Sequence, residues 1–298
     1  MENFSFFDLI LAITLAIIMV QRAKKKSRKL IKENPVYAYY SKGLVIKYIG
    51  AFSFCSIYLF YYQGGGDTMA YFRSIQAYHG VLLRSPSDYI GILFSGVSAE
   101  NWALFSAETG YPERYMFLDS RTLLVIKLSS IASIPVFCGF FSTTIVIASV
   151  TYKWIFKGLL FTSNRYPEVT RQMAWSFLFI PSVVFWGSGI MKDTFTFAAS
   201  CYVLYAVDQI FNKKSNLLST SIQLLLAAFL IITIKAYILF ALLPGTLIFI
   251  NFERIRKIQS GLVKIIILPI SFAILIPVSQ SFFFYFEDEF GKYSADKI

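Results

Sequence analysis

A chain of 298 residues that is 56% hydrophobic and 18% aromatic, with a mean hydropathy of +0.60, is too apolar for a water-soluble domain of its length and reads as an all-α polytopic membrane protein. The net charge of +11 does not point to nucleic acid, because the basic residues fall in short segments between apolar runs and form no face interleaved with aromatics. One histidine, His79, and three cysteines inside apolar segments, Cys55, Cys138 and Cys201, offer no spacing for a metal cluster or a disulfide framework.

Phe4 to Val20 is long enough for a short or tilted span, and the block QRAKKKSRKLIK follows it. The positive-inside bias keeps that block in the cytoplasm and the N-terminus outside, and the absence of a small-x-small site makes the run an anchor rather than a removable signal. The same block offers a surface to anionic membrane lipid, although topology alone accounts for it. Leu44 to Tyr62 returns outward and ends in YLFYY, the composition of a headgroup interface. Residues 1–62 thus form two transmembrane helices joined by a basic cytoplasmic loop.

Residues 63–138 read as a long outer loop carrying surface or re-entrant helices. Its first part sets Asp67, Asp88, Glu100, Glu108, Glu113 and Asp119 against four arginines, opposite to the basic inner loops. Tyr71, Ile75, Tyr78 and Leu82 recur at helical spacing, which predicts helices lying on the membrane. Lys127 and Pro135 interrupt the stretch before residue 139, so a surface or re-entrant helix is expected there.

Residues 139–298 read as a six-helix bundle. Gly139 to Leu160 goes inward, Trp175 to Gly187 outward and Thr194 to Phe211 inward, with Lys213 and Lys214 at an inner turn. Leu217 to Asn251 is one apolar run of about 50 Å as a helix against a hydrocarbon core of about 30 Å, so it must fold back, with Lys235 at the outer turn. Glu253, Arg254, Arg256, Lys257 and Lys264 form the last inner loop, and Ile265 to Tyr285 exits. The expectation is about eight spans with the N-terminus and residue 298 outside an inner membrane, and the ending at Ile298, soon after an outward span, leaves room for later spans.

The segment PSVVFWGSGIMKDT, Pro181 to Thr194, sets charge where apolar sequence should dominate. Lys192 and Asp193 follow a Gly-Ser-Gly turn and belong at the membrane surface or in a wet cavity. Lys192 and Lys235 run against the positive-inside bias, and each supplies a point charge suited to a phosphate at the outer face; a snorkelling lysine is the plain alternative. Asp67 follows Gly64-Gly65-Gly66, which either turns a carboxylate over the openings of the spans or simply stops one helix before an acidic N-cap begins the next. Arg73 and Arg84 read as solvated loop residues. No residue pattern identifies a cofactor or a metal.

The run GGGDTMAYFRSI, an acidic residue just after an outward span and before surface helices in a long outer loop, resembles membrane glycosyltransferases of the C-type fold. The segments PSVVFWGSGIMKD and IKAYILFALLPG resemble a family of polytopic bacterial membrane proteins, many from Bacteroidetes, of general polysaccharide-polymerase character, over most of residues 44–298. The resemblance implies Asp67 as the catalytic acidic residue, acting as base, Lys192, Asp193 and Lys235 as substrate-binding positions, and a polyprenyl-phosphate-linked sugar as donor. C-type enzymes often carry two adjacent acidic residues where this chain has Asp67-Thr68. A transporter, or a lipid-binding or structural subunit working with partner membrane subunits, is the rival expectation.

Overall fold

The computed structural model describes residues 5–211 and 217–257, with isolated positions up to 270. Among the described residues the chain is helical, and the one β feature is an isolated antiparallel bridge between Ser106 and Gly110. In chain order the helices are α1 (Phe6–Leu30), α2 (Tyr40–Ser56), α3 (Asp67–Arg84), α4 (Pro86–Phe94), α5 (Ala99–Trp102), α6 (Arg114–Leu118), α7 (Ser120–Ser133), α8 (Phe140–Arg165), α9 (Thr170–Leu178), α10 (Pro181–Trp186), α11 (Lys192–Phe211) and α12 (Leu217–Lys257). Among the described residues, four stretches are long and apolar enough to cross a membrane: Phe6–Leu30, Pro35–Tyr61, Phe140–Arg165 and Leu217–Leu242.

The first of these is built inside out relative to a helix in water. The buried positions of α1 are Asp8, Ala12, Ala16, Ala23 and Ser27, four or seven residues apart on one stripe, while Phe7, Ile10, Ile13 and Ile17 point away from the protein. Small residues inward allow close helix approach, and large aliphatic residues outward suit surroundings as apolar as themselves. The stripe lies against α2 and α8. Asp8 fixes the register, because its carboxylate accepts the backbone N–H groups of Phe141 at 2.8 Å and Ser142 at 3.0 Å, together with the Ser142 hydroxyl. An acid on α1 thereby satisfies the free N–H groups at the start of α8, and the two helices run in the same direction from that point.

Helix α8 is the hub, with α1, α2, α7, α9 and α11 packed around it. Several of its buried hydroxyls return to the carbonyl one turn back, as in Thr144 to Phe140 at 2.8 Å and Thr151 to Ile147 at 2.8 Å, whereas those of Thr143 and Ser163 have no partner among the described residues. Helix α2 runs against it, tied by Cys55 to Thr144 near one end, Tyr48 and Ser149 at 2.7 Å in the middle, and the Tyr152 hydroxyl to the Tyr40 carbonyl at the other. All three cysteines are free thiols. Helix α11 runs in the same direction as α8, since Tyr202 lies on Trp154 and Tyr205, further along α11, meets Lys157, further along α8.

Several expectations change. Helix α3 is not a superficial helix, because Met69, Tyr71, Phe72, Ile75 and Tyr78 are all buried and join the same core as α8. Its neighbours include α4 and α7. Trp175 to Gly187 is not one crossing: α9 ends at Leu178 and α10 starts at Pro181, with Ile180 extended at φ −64° and ψ 122°. Proline clashes with a helical residue before it, so the break sits where the chemistry demands. At Lys235 the backbone of α12 leaves helical geometry, with φ −150° and ψ 73°, a break at the position expected to turn. The expected inner turn at Lys213 and Lys214, the exit Ile265 to Tyr285 and the placement of residue 298 lie outside the described residues, as do the side chains of Glu253, Arg254, Arg256, Lys257 and Lys264.

Candidate functional site

Helix α2 passes into a π-helical turn, Ile57–Tyr61, and then reverses through residues with positive φ: Gln63 at 51°, Gly64 at 78° and Gly66 at 83°. Glycine suits these angles, and at Gly66 a β-carbon would also stand 2.8 Å from the Tyr58 ring. The reversal makes Asp67 the first residue of α3, exposed at its N-terminus. Arg73 braces this turn, bonding the Gly64 carbonyl at 3.1 Å and Glu113 at 2.7 Å. Arg84 likewise ties down a loop, through the Leu104 carbonyl at 2.5 Å. Both arginines are exposed, as expected, but each holds loop structure together.

A second turn, Gly187 to Met191, delivers Lys192 and Asp193 at the start of α11. It is pinned from several sides. Thr194 donates to the Gly189 carbonyl at 2.7 Å, buried Lys47 of α2 donates to the Gly187 carbonyl, and Thr68 donates to the Ile190 carbonyl at 3.2 Å. A β-carbon at Gly189 would fall 2.1 Å from the Phe54 ring, so the turn passes where only glycine fits. Thr68 adjoins Asp67, and this contact ties the start of α3 to the start of α11.

Asp119 completes the arrangement as the N-cap of α7, accepting the Arg121 N–H at 3.3 Å and the Thr122 hydroxyl at 2.5 Å. Lys192 bonds Asp119 at 2.8 Å, and Lys235 bonds Asp193 at 2.5 Å. Burial alone would push the Asp119 carboxyl up, but the Lys192 ammonium, the Thr122 hydroxyl and the Arg121 N–H together hold it below the usual carboxylate range. Burial raises the Tyr71 phenol, and burial with the charges of Asp67 and Glu113 raises that of Tyr115.

These side chains surround one open cleft of about 750 Å³, whose lining includes Asp67, Asp119, Asp193, Lys192, Lys235 and Arg121. All four residues singled out from the sequence, Asp67, Lys192, Asp193 and Lys235, therefore share a single cavity, although they come from three helices. Three carboxylates face three cations, so the formal charges of the lining balance. Both lysines are already engaged by aspartates, whereas the Asp67 carboxylate has no hydrogen bond or ion pair among the described residues. An entering anion must draw the lysines from their aspartates, which act meanwhile as their positioning groups. Among the described residues no three His, Cys, Asp or Glu side chains are grouped as metal ligands.

Sequence reasoning missed Asp119 as a cleft residue, and missed Thr68 and Lys47 as supports. The one available signal for Asp119 was its place before SRTLLV, an acidic N-cap ahead of an apolar run. The chain matches no family model, no curated protein and no solved structure.

Proposed function

We propose that the chain is a multi-pass inner-membrane protein of envelope polysaccharide or glycolipid assembly, whose cleft receives a polyprenyl-phosphate-linked sugar at the outer face. The observation that supports this reading is the meeting of Asp67, Lys192, Asp193 and Lys235 in one cleft. In it, Lys192 and Lys235 bind phosphate oxygens as they leave Asp119 and Asp193. Asp67 takes the proton of an acceptor hydroxyl while that oxygen bonds the anomeric carbon, and the bond from that carbon to the phosphate oxygen breaks, leaving the lipid phosphate on the lysines. Asp67 suits the role because it is exposed to the cleft and unengaged.

The test is transfer of labelled sugar from a polyprenyl-phosphate donor by the purified protein in proteoliposomes. Asp67→Asn keeps the shape and removes the proton acceptor, so transfer should fall by about 10²-fold or more. A variant as active as the parent would remove Asp67 as the base.

One observation favours a second reading, a transporter: α12 breaks at Lys235, inside a stretch apolar enough to span, and that lysine is paired across to Asp193. Broken helices that expose charge to a cavity are a recurrent transporter device. Substrate recovered across the bilayer with its covalent structure unchanged would favour transport over transfer.

A further inference from the structure

At the opposite end of the bundle from the cleft, two adjoining cavities of about 240 and 280 Å³ lie beside α1, α2 and α8 and share Lys26, Tyr40 and Lys153. Their lining includes the cations Arg22, Lys26, Lys153 and Lys157, and among the described residues no carboxylate lines either one. The lysines rest on aromatic groups: Lys26 Nζ stands 4.6 Å from the centre of the Tyr40 ring, and Lys157 Nζ stands 4.3 Å from that of Tyr205 while bonding its hydroxyl at 3.0 Å. Lys26 and Lys153 line both cavities and Lys157 lines the second, so their charges face the same space. Elsewhere in the fold, Lys47 and Lys127 meet backbone carbonyls and Lys192 and Lys235 meet aspartates. Here like charges from two helices are held together around open space, an arrangement that costs repulsion until an anion enters.

The walls and the depth narrow the choice of anion. Met19, Leu44, Val150 and Leu160 add apolar surface to the lining, and Val150 is exposed on the outside of α8, so the cavities continue onto an aliphatic exterior. Measured along α1 from Asp8, which marks the start of α8, Lys26 lies about 27 Å away, close to the thickness of a hydrocarbon core of about 30 Å. A cation at that level meets headgroups, and the apolar walls meet acyl chains.

We propose that this pocket binds the phosphate group of an anionic phospholipid, with Lys26, Lys153 and Lys157 on the phosphate oxygens and the acyl chains lying along α1 and α8. The site is separate from the cleft and does not depend on what the cleft does.

The test is native mass spectrometry of the purified protein with phosphatidylglycerol, with phosphatidylcholine of the same acyl chains, and with inorganic phosphate as a competitor. The wild type should retain phosphatidylglycerol at least about tenfold over phosphatidylcholine. Lys26→Gln/Lys153→Gln/Lys157→Gln should lose that preference, and Lys24→Gln/Lys25→Gln, outside the pocket, should keep it. Without lipid the triple variant should have a thermal midpoint equal to or above that of the wild type, because like charges have been removed; a lower midpoint contradicts the argument. Equal retention of the two lipids, or a preference surviving the triple substitution, overturns the proposal. Displacement of phosphatidylglycerol by millimolar inorganic phosphate would leave a phosphate site and overturn the lipid as its source.

Discussion

Thr68 donates its hydroxyl to the carbonyl of Ile190 at 3.2 Å across 122 positions of sequence, and both ends of that bond are buried. The bond joins the residue after Asp67 to the turn before Lys192. Thr68→Val keeps the shape and leaves that carbonyl unpaired, so a loss of about 1–3 kcal/mol in stability is expected, with weaker ligand binding in the cleft. Thr68→Ser should recover both. Thermal unfolding of the two variants in the same lipid is the measurement, and equal midpoints for Val and wild type would show that the contact carries no weight.

The Lys192–Asp119 pair separates stability from function. It is partly exposed, so Lys192→Met should cost about 1 kcal/mol or less in folding, yet it removes one of the two lysines proposed to hold a phosphate. Binding of a polyprenyl-phosphate should therefore weaken far more than the thermal midpoint falls. The exchanged pair, Lys192→Asp with Asp119→Lys, restores the charge pairing but not the α7 cap, so stability should stay about 1 kcal/mol below the wild type, and binding should stay impaired because the cation now starts from α7. Full recovery of binding would mean that only the charge balance matters.

Acid should act on the same pair in a defined window. The Asp119 carboxyl is held below its unfolded value, so its contribution to stability is fully present above the ordinary carboxylate range, near pH 4, and is lost as pH falls through the lower folded value. Asp119→Asn should flatten the stability profile below about pH 4 and leave its shape above pH 6 unchanged. An acid limb identical to that of the wild type would assign that limb to other carboxylates.

The sidedness of the bundle is open to labelling. Ser120 is exposed at the cleft and Lys25 is exposed at the basic end. In a background with Cys138→Ser, Ser120→Cys should react with an impermeant thiol reagent on intact cells and Lys25→Cys only after the membrane is opened. The reverse pattern would invert the proposed orientation.

The site residues differ in how visible they were in the linear chain. Lys192, Asp193 and Lys235 stood out because each interrupts an apolar run, and Asp67 because three glycines precede it. Asp119 was hidden among several acids of a polar segment, and what distinguishes it is an ion pair with a residue 73 positions away, a tertiary relation with no local trace. The break at Ile180 was signalled by Pro181, but hydropathy summed across residues 175–187 outweighed it. The burial of α3 was masked for a different reason: Tyr71, Tyr78 and Phe72 suit a membrane surface and a protein core equally well, and only the packing of α7 against them decides.

The bond from Asp8 to the start of α8 sets an order of assembly. During synthesis α1 emerges first, and the partners of its carboxylate follow more than 130 residues later. Until then that acid lacks its partners, so the seating of α1 stays incomplete while α2 to α7 are made. Its final seating is a late, long-range closure, of the kind that slows folding and leaves intermediates open to mispairing. Removing the carboxylate with Asp8→Ala should therefore do more than the loss of about 1–2 kcal/mol expected for a cap: newly made chains should remain protease-sensitive near residue 34 for longer, whereas Asp8→Asn, which still caps, should mature at nearly the normal rate.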